Sequence, residues 1–403
     1  MNLVALNIDS ILLGQPLPFT LRGADGVLLA QKGYVIQQRE ELTSLAARAF
    51  QVCVDTEESE DAYRSYLAQL QQMLLSQTSL GQIAAVKISA GAQASQGTPG
   101  AAPAGPPDWS ELQLRATQLL RSPPPTGFAQ RLCLLQADLA RSCQQAPDAT
   151  LLALIYLSAQ ETRMYSATHA MLVACVCMLV AQDTLRWPHA RVESLGLAAL
   201  SMNISMTALQ DQLAVQSEPL TSQQVHAIQG HAERSEAQLR ALGVTAPAWL
   251  EAVRLHHDRA PGALASRSEG QQMARLIQRA DVFGARLAPR ATRHPMTVTA
   301  AMQASYYDEE RQADEAGAAL IKTLGIYPPG TFVRLASQEV AIVLRRGASA
   351  TTPRVAVVLN RNGMPTGEPI PRDTAQPDWK IAGPMARREV RVQLQLARLL
   401  ALA

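Results

Sequence analysis

A charge-free stretch of 18 residues limits the folds open to this chain more than any other feature of its sequence. It runs from residue 90 to residue 107 and reads AGAQASQGTPGAAPAGPP, without one large apolar side chain. Such a stretch cannot bury enough apolar surface to offset the conformational entropy that is lost when it is ordered. We therefore predict a flexible linker at 90–107, with separately folded units on either side of it.

The part before the linker has the pattern of a small α+β module. Residues 1–58 contain short β-rich runs separated by Asp-Gly and Lys-Gly turn signals, together with a polar helical run at 37–49. Residues 59–89 then carry leucines at helical spacing. We predict a connector helix over 59–89, which would also suit pairing with a second copy of the chain in a homodimer.

The part after the linker is predicted to be mainly helical. Residues 108–325 show apolar positions at a spacing of about 3.6, and Asp108 is suited to cap the first helix. The predicted helices are 109–121, 127–144, 148–182, 188–201, 222–242, 247–257, 269–287 and 297–324. Residues 326–403 differ, because the runs VRL, VAIVL and VAVVL are β-branched and separated by turn residues. We predict a small β extension packed on the helical domain, with a closing helix at 387–400. The expected fold class is thus mainly α.

The composition favours a soluble, cytoplasmic protein. The formal net charge is only +2 over 403 residues, which gives no reason to expect DNA or a membrane surface as a partner. The five cysteines are odd in number and form no CxxC pair, as expected in a reducing compartment. The longest apolar run, Ala170–Ala181, is well short of the ~20 residues that span a bilayer, so it predicts a buried helix and no membrane span. The N-terminus also lacks the basic head and cleavage site of a signal peptide.

The histidines are the most informative candidates for chemistry. All seven lie in the predicted helical domain, and four of them, His169, His231, His256 and His257, stand in suggestive contexts together with Asp281. Imidazole and carboxylate groups brought together from several helices are the ligands that a divalent metal ion requires. Taken one at a time, a helical histidine is more often a satisfied core or surface residue, so spacing alone leaves both interpretations open.

The set of motifs, taken in order, resembles a known family. It consists of the His169 helix, ALSMNISM at 199–206, GHAERSEAQL at 230–239, the His256-His257-Asp258 run, ADVF at 280–283 and IYPPG at 326–330. The set resembles the HD-GYP domain, a branch of the HD metal-dependent phosphohydrolases that hydrolyses the bacterial second messenger cyclic di-GMP. The resemblance covers about 160–370, and the N-terminal module is similar to the small domain that often precedes HD-GYP domains.

The chain departs from that family at the motif HDIGK. The aligned residues are Met202, Asn203, Ile204, Ser205 and Met206, so two metal ligands and a lysine are missing. The family's aspartate bridges two metal ions about 3.5–4 Å apart, a task suited to a charged carboxylate with two oxygens. Asn203 is neutral, Met202 offers a soft thioether, and Met206 removes a cation that could hold a phosphate oxygen.

Two further departures lie nearby. The family's glycine-rich stretch ending in Gly-Tyr-Pro is replaced by Arg259–Leu264, which lacks the tripeptide, and Tyr165 stands where some members place an acidic ligand. By the resemblance, His231, His256 and His257 would bind the second metal, whereas His169 and Asp281 would be remnants of the first metal's ligand set.

Other residues would support such a site by the same resemblance. Asp258 could orient the histidine ligands, and Arg290 and Arg293 fall where the family binds the ligand's phosphates. One guanidinium group can bind two phosphate oxygens at once, so these arginines could hold a nucleotide that is not cleaved. In an arginine-rich chain the alternative for both arginines is a solvated loop.

Three functions follow, and no residue is assigned as catalytic. The first is a cytoplasmic cyclic di-GMP signalling protein with little or no hydrolase activity, which acts by binding nucleotide, signalling proteins or both. The second is a working phosphodiesterase with one metal on His231, His256 and His257. The third is a pure interaction scaffold. The expected cofactor is one divalent ion of the manganese, iron or magnesium class, or none.

Overall fold

Two compact units, Met1–Gly105 and Pro106–Ala403, make up the chain. The computed structural model describes residues 107–403 except 161, 163, 261 and 292, together with parts of the first 55 residues. The predicted connector helix at 59–89, nearly all of the linker, and most of the predicted helix at 37–49 lie outside the described residues.

The N-terminal unit contains a small antiparallel sheet. Its strands are β1 (Leu3–Ala5), β2 (Leu21–Gly23), β3 (Leu28–Ala30) and β4 (Val52–Asp55), in the spatial order β1-β4-β2-β3. Leu21 on β2 pairs with Ala30 on one side and Val54 on the other, and both Leu21 and Val54 are buried. These strands confirm the β part of the predicted module.

The second unit is a helical domain. Its helices are α1 (Trp109–Arg121), α2 (Phe128–Gln145), α3 (Pro147–Ser158), α4 (Tyr165–Leu179), α5 (His189–Ser201), α6 (Thr207–Val215), α7 (Ser222–Gln229), α8 (His231–Ala241), α9 (Pro247–Leu255), α10 (Glu269–Leu287), α11 (Val298–Tyr306), α12 (Glu315–Leu324) and α13 (Leu396–Leu400). As predicted, the Asp108 side chain caps α1 by accepting hydrogen bonds from the backbone amides of Ser110 and Glu111.

Helix α4 lies at the centre of this unit. Every residue from Tyr165 to Leu179 is buried, because the helix is apolar on all sides, and it continues into one π-helical turn at Val180–Thr184. The stretches Tyr165–Thr184 and His189–Val215 are apolar enough, by length and composition, to cross a membrane. However, the most apolar 18 residues of the first stretch are 94% buried inside the fold, and those of the second are 67% buried. The run at 170–181 is therefore a core helix, as predicted.

The C-terminal sheet is built on the helices. Its strands are β5 (Phe332–Leu335), β6 (Val340–Arg345), β7 (Arg354–Leu359), β8 (Pro365–Asp373) and β9 (Ile381–Met385), all antiparallel, in the order β8-β7-β6-β5-β9. One face shares an apolar cluster with Leu152 and Tyr156 of α3, and the Tyr156 hydroxyl donates a hydrogen bond of 2.6 Å to the carbonyl of Leu394. Gly330 permits this joint: its φ is +88°, and a Cβ there would lie 2.8 Å from Cγ2 of Ile155. The mainly-α fold class with a β extension is confirmed.

Three predicted helices are interrupted. The helix predicted over 148–182 breaks between α3 and α4, since Asp211 on α6 accepts a hydrogen bond of 2.8 Å from the Ser166 amide and so fixes a new helix start. The helix predicted over 222–242 breaks at Gly230, which ends α7.

The third break and the chain end also differ from prediction. The helix predicted over 297–324 stops at Tyr306 and restarts after Asp314, whose carboxylate caps α12 through the Gly317 amide and also pairs with Arg275. Helix α6 was not predicted. The closing helix predicted over 387–400 is only α13, and Arg387–Glu389 forms a separate 3-10 turn. Strands β8 and β9 were not predicted, because neither contains a β-branched run.

Candidate metal centre

Three histidine side chains converge in the helical unit. The Nε2 atom of His231 lies 3.1 Å from Nε2 of His256 and 3.2 Å from Nε2 of His257, and one ring nitrogen from each residue lies within 4.8 Å of the others. Two nitrogens that each lie about 2.1 Å from one ion are separated by roughly 3.0–3.4 Å. The spacing of this histidine triad therefore fits a single divalent ion.

Helix ends position the triad. His231 is the first residue of α8, directly after the Gly230 turn, and His256 follows the last residue of α9. Each Nδ1 atom lies 2.6 Å from the carbonyl oxygen three residues earlier, that of Ile228 for His231 and that of Val253 for His256. A carbonyl only accepts, so both Nδ1 atoms carry the proton and both Nε2 atoms have a free lone pair.

Burial keeps two of the three rings neutral. Burial, reinforced by the nearby His257, lowers the pKa of His256 to about 3. Burial also lowers the pKa of His231, against the opposing effect of the hydrogen bond to Ile228. His256 is fully buried, whereas His257 is exposed and opens the triad to solvent. Both buried imidazoles are therefore electron-pair donors at neutral pH.

His169 and Asp281 form a separate pair beside the triad. Nε2 of His169, on α4, lies 2.7 Å from Oδ1 of Asp281, on α10. Nδ1 of His169 is buried without a partner and faces Gly284, where a Cβ would lie only 3.1 Å away. Because no acceptor faces Nδ1, the proton belongs on Nε2, which donates to Asp281. This tautomer is opposite to that of His231 and His256.

The carboxylate of Asp281 is held in its charged form. Its burial would raise its pKa, but the hydrogen bond and charge interaction with His169, aided by His257 and His256, keep the pKa well below the usual range. In turn, the charge of Asp281 partly opposes the lowering of the pKa that burial causes at His231 and His256. The pair and the triad are thus electrostatically linked.

The residues in place of the HDIGK motif lie next to α8 but bring no charge. Met202 is buried, and Oδ1 of Asn203 is buried without a hydrogen-bond partner. The Ser205 hydroxyl donates to the carbonyl of His231, and the Ser235 hydroxyl donates to Ser205. A neutral amide and a thioether cannot replace a bridging carboxylate, so these residues do not fit a two-ion centre.

Tyr165 links the arginines to the His169 pair. Its ring stacks on that of His169 at 5.6 Å, and Nη2 of Arg290 donates a hydrogen bond of 2.8 Å to its hydroxyl. Arg290 and Arg293 form an isolated β-bridge, and the Arg293 side chain donates to the carbonyl of Ala285. Nε of Arg290 is buried without a partner. Burial, then repulsion from Arg290 and Arg286, lowers the pKa of Arg293. The three guanidinium groups are crowded, and an anion between them would relieve the repulsion.

Asp258 does not orient the triad. Its Oδ1 accepts a hydrogen bond of 3.1 Å from the backbone amide of Ala260, and its own carbonyl accepts one of 3.0 Å from Nε2 of Gln278 on α10. The carbonyl oxygens of Ile228 and Val253 orient the histidine rings instead of Asp258. The sequence analysis did not identify these two carbonyls. They could have been found from the sequence, because each lies three residues before a buried histidine, where a helix or turn leaves a carbonyl oxygen free to accept.

The chain is similar to a curated protein and to a solved structure. It is 26% identical over 225 residues to the cyclic di-GMP phosphodiesterase PA4108 of Pseudomonas aeruginosa, a match that covers 55% of this chain. The chain spans about half the length of this relative, 53%. A solved structure, Bd1817, a HDG"Y"P protein from Bdellovibrio bacteriovorus, has a TM-score of 0.43 and 12% identity over 80% of this chain and 99% of its own. No known family profile matches the sequence. The curated relative and the ordered motifs from His169 to Gly330 both support the resemblance of the chain to the HD-GYP family.

Proposed function

We propose that this protein is a cytoplasmic member of a cyclic di-GMP signalling network that binds the nucleotide and has little or no hydrolase activity. The observation that carries the proposal is Asn203, a neutral residue with a buried, unpartnered Oδ1, at the position where the family has its metal-bridging aspartate. Without that carboxylate a second ion loses a ligand, and the attacking group loses its position. The hydrolysis rate should therefore fall by orders of magnitude.

Nucleotide binding is supported by the arginines beside Tyr165. Arg290 has an unpaired buried Nε, and the mutual repulsion of Arg290 and Arg293 would be relieved by the two phosphates of a cyclic dinucleotide. The histidine triad, which would hold one divalent ion, lies in the same unit. That ion, when bound, would supply a positive charge for a phosphate oxygen and one open coordination position. The curated relative is itself a cyclic di-GMP phosphodiesterase.

The test is a binding titration paired with a hydrolysis assay on the same sample. Calorimetry with cyclic di-GMP should show saturable binding, and prolonged incubation with manganese or ferrous iron should leave the nucleotide intact. Replacing both Arg290 and Arg293 with alanine should weaken binding by at least about tenfold, equal to about 1.4 kcal/mol. Arg361→Ala, on the exposed turn between β7 and β8, is the matched control and should bind normally. Metal-dependent turnover that His256→Ala abolishes would refute the proposal.

Two alternatives have distinct outcomes in that assay. A phosphodiesterase working with one ion is favoured by the intact triad and would show slow turnover that depends on His231, His256 and His257. A pure interaction scaffold would show no heat with cyclic di-GMP, and the Arg290/Arg293 double variant would behave like the unchanged protein.

The domain plan also remains a proposal. We infer an α+β module at 1–58, a connector helix at 59–89, a linker at 90–107, a helical HD-GYP-type domain at 108–325 and a β extension with closing helix at 326–403. Signalling proteins would bind through this arrangement, and the connector helix would pair two copies. Sedimentation of the full chain beside a chain that starts at residue 107 would test the pairing, since only the full chain should dimerise.

A further inference from the structure

We infer that His231, His256 and His257 form a site for a single ion of the zinc class, Zn²⁺, Co²⁺ or Ni²⁺, in place of a two-ion centre for manganese, iron or magnesium. The inference deepens the proposed function, because it concerns the same part of the helical unit. It does not require that the nucleotide binds.

The hydrogen bonds of the triad leave it in need of a cation. Nε2 of His231 and Nε2 of His256 both carry lone pairs, since the proton of each ring is donated to a backbone carbonyl, and yet these atoms lie 3.1 Å apart. Two acceptors at that distance repel each other. Nε2 of His257 could donate a hydrogen bond to Nε2 of His231 across 3.2 Å. The lone pair of His256 Nε2 would still face that of His231 without a proton between them. A metal ion shared by the nitrogens resolves all of these contacts.

Among the described residues, no carboxylate is spaced to share a metal ion with the triad. Oδ1 of Asp281 is hydrogen-bonded to His169, Oδ1 of Asp258 is hydrogen-bonded to the Ala260 amide, and Asn203 is uncharged. In the described part of the chain, the cluster of side chains spaced to share a metal ion contains imidazoles alone. Mg²⁺ and Mn²⁺ favour carboxylate and water oxygens, whereas imidazole suits zinc, copper, nickel and iron, of which iron binds more weakly than nickel or copper. Affinity at such a site also rises from Mn²⁺ to Ni²⁺.

The residues that remain of the first metal's ligand set bind each other. His169 keeps its proton on Nε2 and donates it to Asp281, so neither the lone pair of that nitrogen nor Oδ1 of Asp281 is free. Met202 and Asn203 replace the other two ligands. The hydrogen bond thus occupies both of these atoms without an ion, and one equivalent of metal is expected instead of two.

The test is metal binding to the full chain after removal of bound ions by a chelator. Equilibrium dialysis with elemental analysis should give one equivalent of Zn²⁺ or Co²⁺, with Mn²⁺ and Mg²⁺ bound at least about 100-fold more weakly. Bound Co²⁺ should also give a visible absorption spectrum typical of nitrogen ligands. Two equivalents, a preference for Mn²⁺, or no binding of Zn²⁺ would each overturn the inference.

Variants separate the ligands from their surroundings. His257→Ala removes an exposed ligand without opening the core and should weaken Co²⁺ binding at least about tenfold, whereas His226→Ala, an exposed histidine on α7, should leave it unchanged. Asp281→Asn should keep one equivalent of metal, and loss of binding there would show a mixed nitrogen and oxygen site. The double change Met202→His with Asn203→Asp should raise the stoichiometry to two and admit Mn²⁺. If Zn²⁺ fails to bind while cyclic di-GMP still does, this inference fails and the proposed function stands.

Discussion

The pair formed by His169 and Asp281 should be a measurable source of stability in the metal-free protein. His169 is 3% exposed and Asp281 19%, and their hydrogen bond is 2.7 Å long. A hydrogen bond to a charged group contributes about 1.5–3 kcal/mol, and a neutral one about 0.5–1.5 kcal/mol. Asp281→Asn keeps an acceptor but loses the charge, so it should cost about 1 kcal/mol. Asp281→Ala leaves a buried N–H without a partner and should cost about 2–3 kcal/mol.

Thermal unfolding followed by circular dichroism, with a chelator present, measures these differences. In a unit of this size a change of 1 kcal/mol shifts the midpoint by about 2 °C, so Asp281→Ala should unfold roughly 4–6 °C lower than the unchanged protein. Asp258→Asn is the matched control, because the Asp258 side chain accepts its hydrogen bond from the Ala260 amide in the same loop and asparagine keeps that acceptor, so the midpoint should barely move. The reasoning is wrong if Asp281→Ala is as stable as Asp281→Asn.

The pH dependence gives a second check on the same pair. The folded protein lowers the pKa of Asp281 below the value of about 3.9 in an unfolded chain. The stability it contributes is therefore fully present above about pH 4 and is lost as the pH falls below that value. The difference in the free energy of unfolding between the unchanged protein and Asp281→Asn should be constant from pH 8 to pH 5 and should become smaller at lower pH.

Three further predictions concern packing and are measured by the same unfolding midpoint. Gly317→Ala would place a Cβ 2.4 Å from the carbonyl oxygen of Ser305, an obstacle fixed in the backbone, so it should destabilise the protein by about 1–3 kcal/mol despite the better helix propensity of alanine. Arg275→Met breaks the buried ion pair with Asp314, at 2.7 Å, and should cost about 3–5 kcal/mol. Phe283→Ala removes a fully buried ring and should also cost about 3–5 kcal/mol. A midpoint unchanged in any one of them would contradict the packing described.

The sequence predicted helices well where local signals mark their ends. The bounds of α1 and α10 agree with prediction, because each begins at a side-chain cap, Asp108 or Ser268, and its apolar face is continuous. The longer predicted helices were too long, since apolar periodicity continues across their breaks. Those breaks depend on partners far along the chain, such as Asp211 for the start of α4. Strand β8 was missed because it is polar and mostly exposed.

For the site, the sequence indicated which histidine side chains lie together but not their chemical states. His231, His256 and His257 come together as expected from the motifs. That His169 uses its Nε2 proton for Asp281 depends on a contact between residues 112 positions apart, which no local pattern encodes. The opposite tautomers of His169 and His231 could be assigned only once their neighbours were known.

The joint between α3 and the C-terminal sheet has a consequence for how related chains can differ. Leu152 and Tyr156 belong to the sheet's apolar cluster, although they lie on a helix of the bundle. A chain that ended near residue 325 would expose both to water, and the Tyr156 hydroxyl would lose the Leu394 carbonyl. Natural relatives without the sheet should therefore carry polar residues at these two positions. If polar residues at positions 152 and 156 occur only in relatives that lack the sheet, then the sheet and this face of α3 have been inherited, or lost, together.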